Sequence, residues 1–288
     1  MFSVTEQQLT KISICDTAYP YLLRELSDAP ETLYALGDSS LLKTELFTIV
    51  GSRRTPMYAL KTGKQIAEEL SHLFTIVTGT ADGGDVAAIE GALMGSGKVI
   101  CVLAGGFSAL PQNQLPLLER VAEKGLLLSP HDFKTSVRAF SYEYRNKLLA
   151  KLSMGTLVLG AAEKSGALIT AKYAKQFQNP VFALPYAPGA AAGVGCNALI
   201  KTGGHLTETA ADILQKFGKD TAPKKERVSL SPDEEKLYEA LRNAGECHLT
   251  ELSAIANVPA FKVRAVLSAL EVKGLAVNLG GNRYAPLK

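Results

Sequence analysis

The sequence predicts an α/β protein: a mostly parallel sheet with helices on both faces, followed by a small three-helix and hairpin module. Three observations predict it. Six short apolar runs recur along the first two thirds of the chain. Amphipathic helical patterns lie between them. A polar stretch with two prolines, "GKDTAPKKERVSLSPDE", then interrupts the alternation. With 288 residues the chain is long enough for about two domains.

Taken in order, residues 1–43 form a lead-in segment. Pro20 and Pro30 break it, and "TLYAL" offers a strand. The apolar runs "LFTIV" (46–50), "FTIVT" (74–78), "KVICVL" (98–103), "GLLLS" (125–129), "TLVLG" (156–160) and "PVFAL" (180–184) follow. Continuous apolar character without alternation is the pattern of strands buried on both faces. Between the first runs, "ALKTGKQIAEEL" and "DVAAIEGALM" each gather aliphatic residues on one helical face. Strand and helix in alternation require parallel pairing. Right-handed crossovers then bring the C-terminal ends of the strands to one edge. This α/β domain is expected over 44–217, with a linker over 218–230. In 231–288, Ser231 and Pro232 open one helix and Thr250 caps a second. "PAFKVRAVLSALEVKG" makes a third, and "LAVNLGGNRYAPL" a hairpin turning at "GGN". Three helices and a hairpin define a winged helix-turn-helix.

Four strands run into glycine or small-residue loops on the common edge: Gly51-Ser52-Arg53, Gly79-Thr80-Ala81, Gly105-Gly106 and Ser165-Gly166. Glycine lets backbone N–H groups approach a ligand, and the helix N-termini that follow favour anions. The edge is therefore expected to hold phosphates. It matches neither nucleotide motif. The first loop is G-S-R-R-T-P where a dinucleotide site needs G-x-G-x-x-G, and "ALMGSGKVI" lacks the first glycine and the hydroxyl of a P-loop. The histidines show no metal spacing. Asp82, Asp85, Glu90 and Glu163 lie near the edge, and Asp85 and Glu90 read most simply as partners of a helix dipole. The four cysteines are scattered, which fits reduced thiols. No basic-then-apolar leader and no spanning apolar run is present, so a cytoplasmic protein without a metal or cofactor is expected.

"HDFKTSVRAFSYEYRNKLLAKLS" (131–153) interleaves five cations with Phe133, Phe140, Tyr142 and Tyr144. Cations along a backbone beside aromatic faces suit single-stranded nucleic acid. The net charge of +3 is mild, so local clusters decide. The module 231–288 holds seven basic and seven acidic residues. A neutral module is a poor duplex reader, which leaves either a protein contact or weak duplex DNA binding.

The motifs "GSRRTPMY", "TGTADGGDVAAIEGAL", "RNKLLAKLS", "SGALITAKYA", "VFALP" and "GCNALIKTGG" occur in this order from 51 to 204. In these the chain resembles the DprA/Smf family of DNA-processing proteins. The resemblance implies an extended Rossmann-like domain that binds single-stranded DNA without acting as an enzyme. It further implies a homodimer that protects incoming strands in natural transformation and assists loading of the recombinase RecA. Carried onto this chain, the binding residues are Gly51, Ser52, Arg53, Tyr142, Arg145, Asn146, Lys147, Ser165, Gly166, Asn197 and Lys201. Arg53, Lys147 and Lys201 are expected on phosphates and Tyr142 against a base. The chain departs from the family pattern at Asp82, Ile89, Pro130 and Glu143. Asp82 stands where a basic residue is usual and would repel a phosphate. Two other readings stay open. One is a nucleotide-processing enzyme of the lysine-decarboxylase-like phosphoribohydrolase type, although "AAEKSGALITA" lacks that type's double glycine and glutamate. The other is a nucleotide-sensing winged-helix regulator.

Overall fold

The computed structural model describes residues 2–219 and 230–287, so most of the expected linker, 220–229, lies outside the described residues. The chain divides into two compact units, Met1–Ala222 and Pro223–Lys288.

The first unit is built on one nine-stranded sheet. In chain order its elements begin with β1 (Thr10–Ser13), α1 (Tyr21–Arg24), β2 (Thr32–Gly37), β3 (Leu46–Val50), α2 (Met57–Leu70), β4 (Thr75–Thr78) and α3 (Gly84–Met94). Then come β5 (Val99–Val102), α4 (Leu115–Lys124), β6 (Leu126–Ser129), α5 (Ala139–Leu152), β7 (Thr156–Val158) and α6 (Gly166–Gln176). It closes with β8 (Val181–Ala183), α7 (Val194–Lys201), β9 (His205–Leu206) and α8 (Ala210–Lys216). The spatial order is β1-β2-β6-β5-β4-β3-β7-β8-β9. All pairings from β6 to β9 are parallel. The six apolar runs form β3 to β8, and every residue of these strands is buried.

Helices cover both faces, as adjacent strand residues show. Thr48 Oγ1 donates to the Leu149 carbonyl of α5 at 2.9 Å. Its neighbour Phe47 points the other way, where its ring meets Phe74, Phe182 and Phe217 with centroids 5.6, 5.8 and 6.1 Å away. Two strands of the lead-in extend the same sheet: β2 pairs antiparallel with β6, and β1 with β2.

The order of strands reverses beside β3. The chain fills β4, β5 and β6 on one side, then crosses to β7, β8 and β9 on the other. Loops after β3 and β7 therefore diverge and leave a crevice beyond their C-terminal ends. Open α/β sheets bind ligands at such a reversal.

The second unit holds α9 (Pro232–Ala244), β10 (Cys247–His248), α10 (Leu249–Ala256), α11 (Ala260–Val272), β11 (Ala276–Gly280) and β12 (Arg283–Pro286). Its three-stranded antiparallel sheet runs β10-β12-β11. Leu237, Leu241, Leu252, Val263, Leu267, Leu270 and Tyr284 form a separate core. Ser231 caps α9 in a reciprocal box with Glu234, and Pro232 occupies its first turn. The hairpin turns at Gly281-Asn282 with φ of 56° and 60°, the positive pair that a tight two-residue turn requires. One expected cap is corrected. His248, not Thr250, caps α10, and its Nδ1 accepts from Thr250 N at 3.4 Å. The pairing of β10 with β12 delivers the chain to the helix two residues earlier than the sequence pattern suggested.

Candidate functional site

The crevice opens as a cavity of about 450 Å³ at the C-terminal ends of β3, β4 and β7. Its frame comes from glycines that let two loops touch. A Cβ on Gly84 would lie 2.3 Å from Gly51 Cα, so the loop after β3 and the start of α3 meet backbone to backbone. Gly84 N donates to the Ser52 carbonyl at 3.3 Å.

Asp85 locks this junction. It is 3% exposed. Its Oδ1 accepts from Gly51 N at 3.3 Å and its Oδ2 from Ala81 N at 3.1 Å. Arg145 Nη1 lies 4.0 Å from Oδ2. The expected role of Asp85 as a dipole partner is thus too slight, because the carboxylate is a buried cross-tie between three elements. Burial pushes its carboxyl up, and the Arg145 guanidinium and the two backbone N–H groups pull against that. Burial likewise works against the charge of Arg145, and Asp85 supports it.

Arg145 is 5% exposed, under the cavity floor. Its Nη1 donates to the Val102 carbonyl at 3.3 Å and its Nε to Asn146 Oδ1 at 2.9 Å. Asn146 Nδ2 passes the chain on to the Gly166 carbonyl at 3.1 Å. Gly79 makes room: a Cβ there would sit 1.7 Å from Arg145 Nη1. The Arg-Asn pair of "RNK" therefore ties the end of β5 and the start of α6 to Asp85, which in turn holds the loops after β3 and β4.

The exposed cations stand around this frame. Arg53 and Arg54 are exposed on the first loop, and Lys164 on the loop after β7. Ser165 caps α6, its Oγ accepting from Ala167 N at 3.3 Å, so an eleven-residue helix starts at the cavity. Such an N-terminus carries about half a positive charge. Thr170 is wholly buried in the wall, and its hydroxyl has no partner.

Arg53, Ala81 and Tyr142 also line a second cavity of about 250 Å³, along the ends of β4 and β5. Tyr142 is 42% exposed, an open ring between the two spaces. Asp82 faces the second cavity, with its Oδ1 accepting from Asn113 Nδ2 at 3.1 Å and Gln114 Nε2 at 2.8 Å. A third cavity of about 490 Å³ is lined by His131, Lys134, Arg138 and Phe140. Lys134 and Arg138 are exposed and form no salt bridge among the described residues, and Phe140 is 64% exposed.

The first cavity brings together Gly51, Ser52, Arg53, Tyr142, Arg145, Asn146, Ser165 and Gly166 from the sequence-derived set. Lys147, Asn197 and Lys201 line neither of the first two cavities. Lys147 Nζ is 2.6 Å from Asp28 Oδ1 of the lead-in. Asn197 holds the chain after β8, accepting from Tyr186 N at 3.0 Å and donating to the Tyr186 carbonyl at 2.9 Å. Lys201 is exposed at the end of α7. Arg54 and Lys164 were not among the expected residues. Their signal was present, since each flanks a glycine loop already read as an anion site. Among the described residues there is no group of His, Cys, Asp and Glu placed to hold a metal, and no helix long and apolar enough to cross a membrane.

Fold and site together define a class: an α/β protein with a cation-ringed crevice at the strand reversal of its sheet. The family follows from comparison. Residues 10–218 match the family described as DNA recombination-mediator protein A, and the chain belongs to it. It is 32% identical to DNA processing protein DprA of Streptococcus pneumoniae over 212 residues, 73% of this chain and 75% of that protein. It is 32% identical to protein Smf of Escherichia coli over 269 residues, 89% of this chain and 72% of that one. The solved structure of S. pneumoniae DprA superposes with a TM-score of 0.70 over 73% of this chain and 75% of its own. DNA processing protein A of Helicobacter pylori, which binds single-stranded DNA, gives 0.66 at 28% identity over 74% of this chain and 97% of its own.

Proposed function

We propose that this protein binds single-stranded DNA along the C-terminal edge of its sheet without cleaving it, and serves DNA processing in natural transformation and recombination. One observation carries the reading. Arg53 and Tyr142, a cation and an exposed ring, both line two adjoining cavities on the C-terminal edge of the sheet. Phosphates fit Arg53, Arg54, Lys164 and the start of α6, and a base stacks on Tyr142. The single-strand binding of the H. pylori protein supports the same reading. Three of the four carboxylates near the edge are engaged in structure, and Glu163 is exposed. Asp85 holds two backbone N–H groups, Asp82 two amides, and Glu90 lies 2.7 Å from Lys64. That supports binding over catalysis. The finer proposals follow the family: a cytoplasmic homodimer that protects incoming strands and helps load RecA.

The second unit is proposed as a winged helix that contacts protein more than duplex DNA. Its cations are largely occupied. Lys262 lies 3.6 Å from Asp233, Lys273 2.7 Å from Glu234, and Arg283 2.6 Å from Glu246. Arg264 Nη2 donates to Asn282 Oδ1 at 2.8 Å. Competition between single-stranded and duplex DNA of equal length tests the reading on the full chain. The single strand should win clearly, and equal or tighter duplex binding would overturn it.

A further inference from the structure

The open face of α11 is poor in groups that read DNA. Phe261 is 82% exposed and Val272 90%, and Ala265 and Ser268 stand exposed between them. At about 100° per residue these four positions fall within roughly 60° of arc. Val263, Leu267 and Leu270, on the other side of the helix, are wholly buried in the core of the second unit. A helix that reads the major groove presents cations and amides to the base edges. This stripe presents a ring, two aliphatic groups and one hydroxyl. Large apolar side chains left open in a row along a helix suit contact with another helix.

The spacing of the stripe points to what covers it. It advances by four, three and four residues, so it reads the same from either end. Two copies of α11 laid antiparallel bring Phe261 against Val272 of the second copy, and Ala265 against its Ser268. Small side chains at the centre let the axes approach to the near end of the usual range of about 8–10 Å. The charges agree. Arg264 and Glu271 both lie on the hairpin side of the stripe. Arg264 Nη2 donates to Asn282 Oδ1 at 2.8 Å, and Glu271 Oε1 accepts from Asn278 N at 3.0 Å. Neither forms a salt bridge among the described residues. A twofold axis across the contact puts like flanks together. Each Arg264 then lies about two residues, or about 3 Å along the axis, from the level of Glu271 in the second copy. Parallel pairing would set Arg264 against Arg264 and align the helix dipoles unfavourably.

We propose that α11 is a self-association surface, on which α11 of a second copy of this chain lies antiparallel. The inference rests on the reading above that the second unit contacts protein more than duplex DNA, and it names that protein as the chain itself.

The test uses the full chain, native and as Phe261→Asp, which changes a side chain outside the core. Sedimentation equilibrium should show the native chain associating at least about tenfold more tightly, the order expected for an aromatic anchor. Cross-linking reads the register. Cys15→Ser removes the one exposed thiol among the described residues. In that background, a mixture of Ala265→Cys and Ser268→Cys chains should form an intermolecular disulfide on air oxidation, because facing positions come within the roughly 7 Å between Cα atoms that a disulfide spans. Ser268→Cys mixed with Glu239→Cys, an exposed position on α9, should not. Equal association of native and Phe261→Asp chains without the cross-link would overturn the second copy and leave a different protein as the partner. Tight duplex binding by the native chain that is lost in Phe261→Asp would overturn the protein-contact reading, and this proposal with it.

Discussion

The two ends of the basic stretch 131–153 share a composition and differ in what their charges do. Before α5, Lys134 and Arg138 stand exposed around an open cavity with the Phe140 ring beside them. Along α5, Lys147 and Lys151 reach back to the lead-in, 2.6 Å from Asp28 and 2.5 Å from Glu25, and Tyr144 donates to the Asp28 carbonyl at 2.7 Å. Between them Arg145 is buried on Asp85. One run of cations thus divides into charges open to a ligand, charges that fasten the lead-in to the sheet domain, and one that ties the edge loops together. Charge that already has a partner is not available to a phosphate. Counting basic residues therefore overstates a binding surface.

The comparison can be broken at each of its parts. The largest effect is expected from Arg145→Ala, which strands a buried Asp85 carboxylate. Removing one partner of a buried pair costs about 3–5 kcal/mol, and denaturant unfolding would read it. A loss under about 1 kcal/mol would mean that the pair does not hold the edge. Arg53→Ala should leave unfolding unchanged and weaken single-strand binding by about 1.5–3 kcal/mol, the range for a charged hydrogen bond. Fluorescence anisotropy with a labelled oligomer measures it, and unchanged affinity would move the strand elsewhere. The smallest effect belongs to Lys147→Ala. Its partly exposed pair with Asp28 is worth about 0.2–1 kcal/mol of stability, with DNA affinity little changed. A binding loss as large as that of Arg53→Ala would erase the distinction between the two ends.

Much of the fold was legible in the sequence because it rests on local pattern. Strands buried on both faces must be apolar throughout, so β3 to β8 announce themselves. The loops at their ends must be small, so the edge does too. The antiparallel β1 was hidden, because Thr10–Ser13 is short, mostly exposed and polar. The site was half legible. Gly51, Arg53, Ser165 and Gly166 follow from strand polarity, and the cavity gathers them. The fate of Arg145 and Lys147 does not follow from spacing. Each depends on a partner far away in the chain, Asp85 or Asp28, and on the room left by Gly79. The surroundings of Asp82 were hidden for the same reason. Its partners Asn113 and Gln114 come from the loop before α4, where no motif marks them.

The central claim is that exposed charge on the sheet edge binds a single strand. Five exposed cations line the first and third cavities: Arg53, Arg54 and Lys164 at one, Lys134 and Arg138 at the other. Single-strand affinity falls with salt by about 0.7 in log–log slope for each phosphate neutralised. A titration of the native chain across salt concentrations should therefore give a slope near −3.5. A flat response would contradict the account.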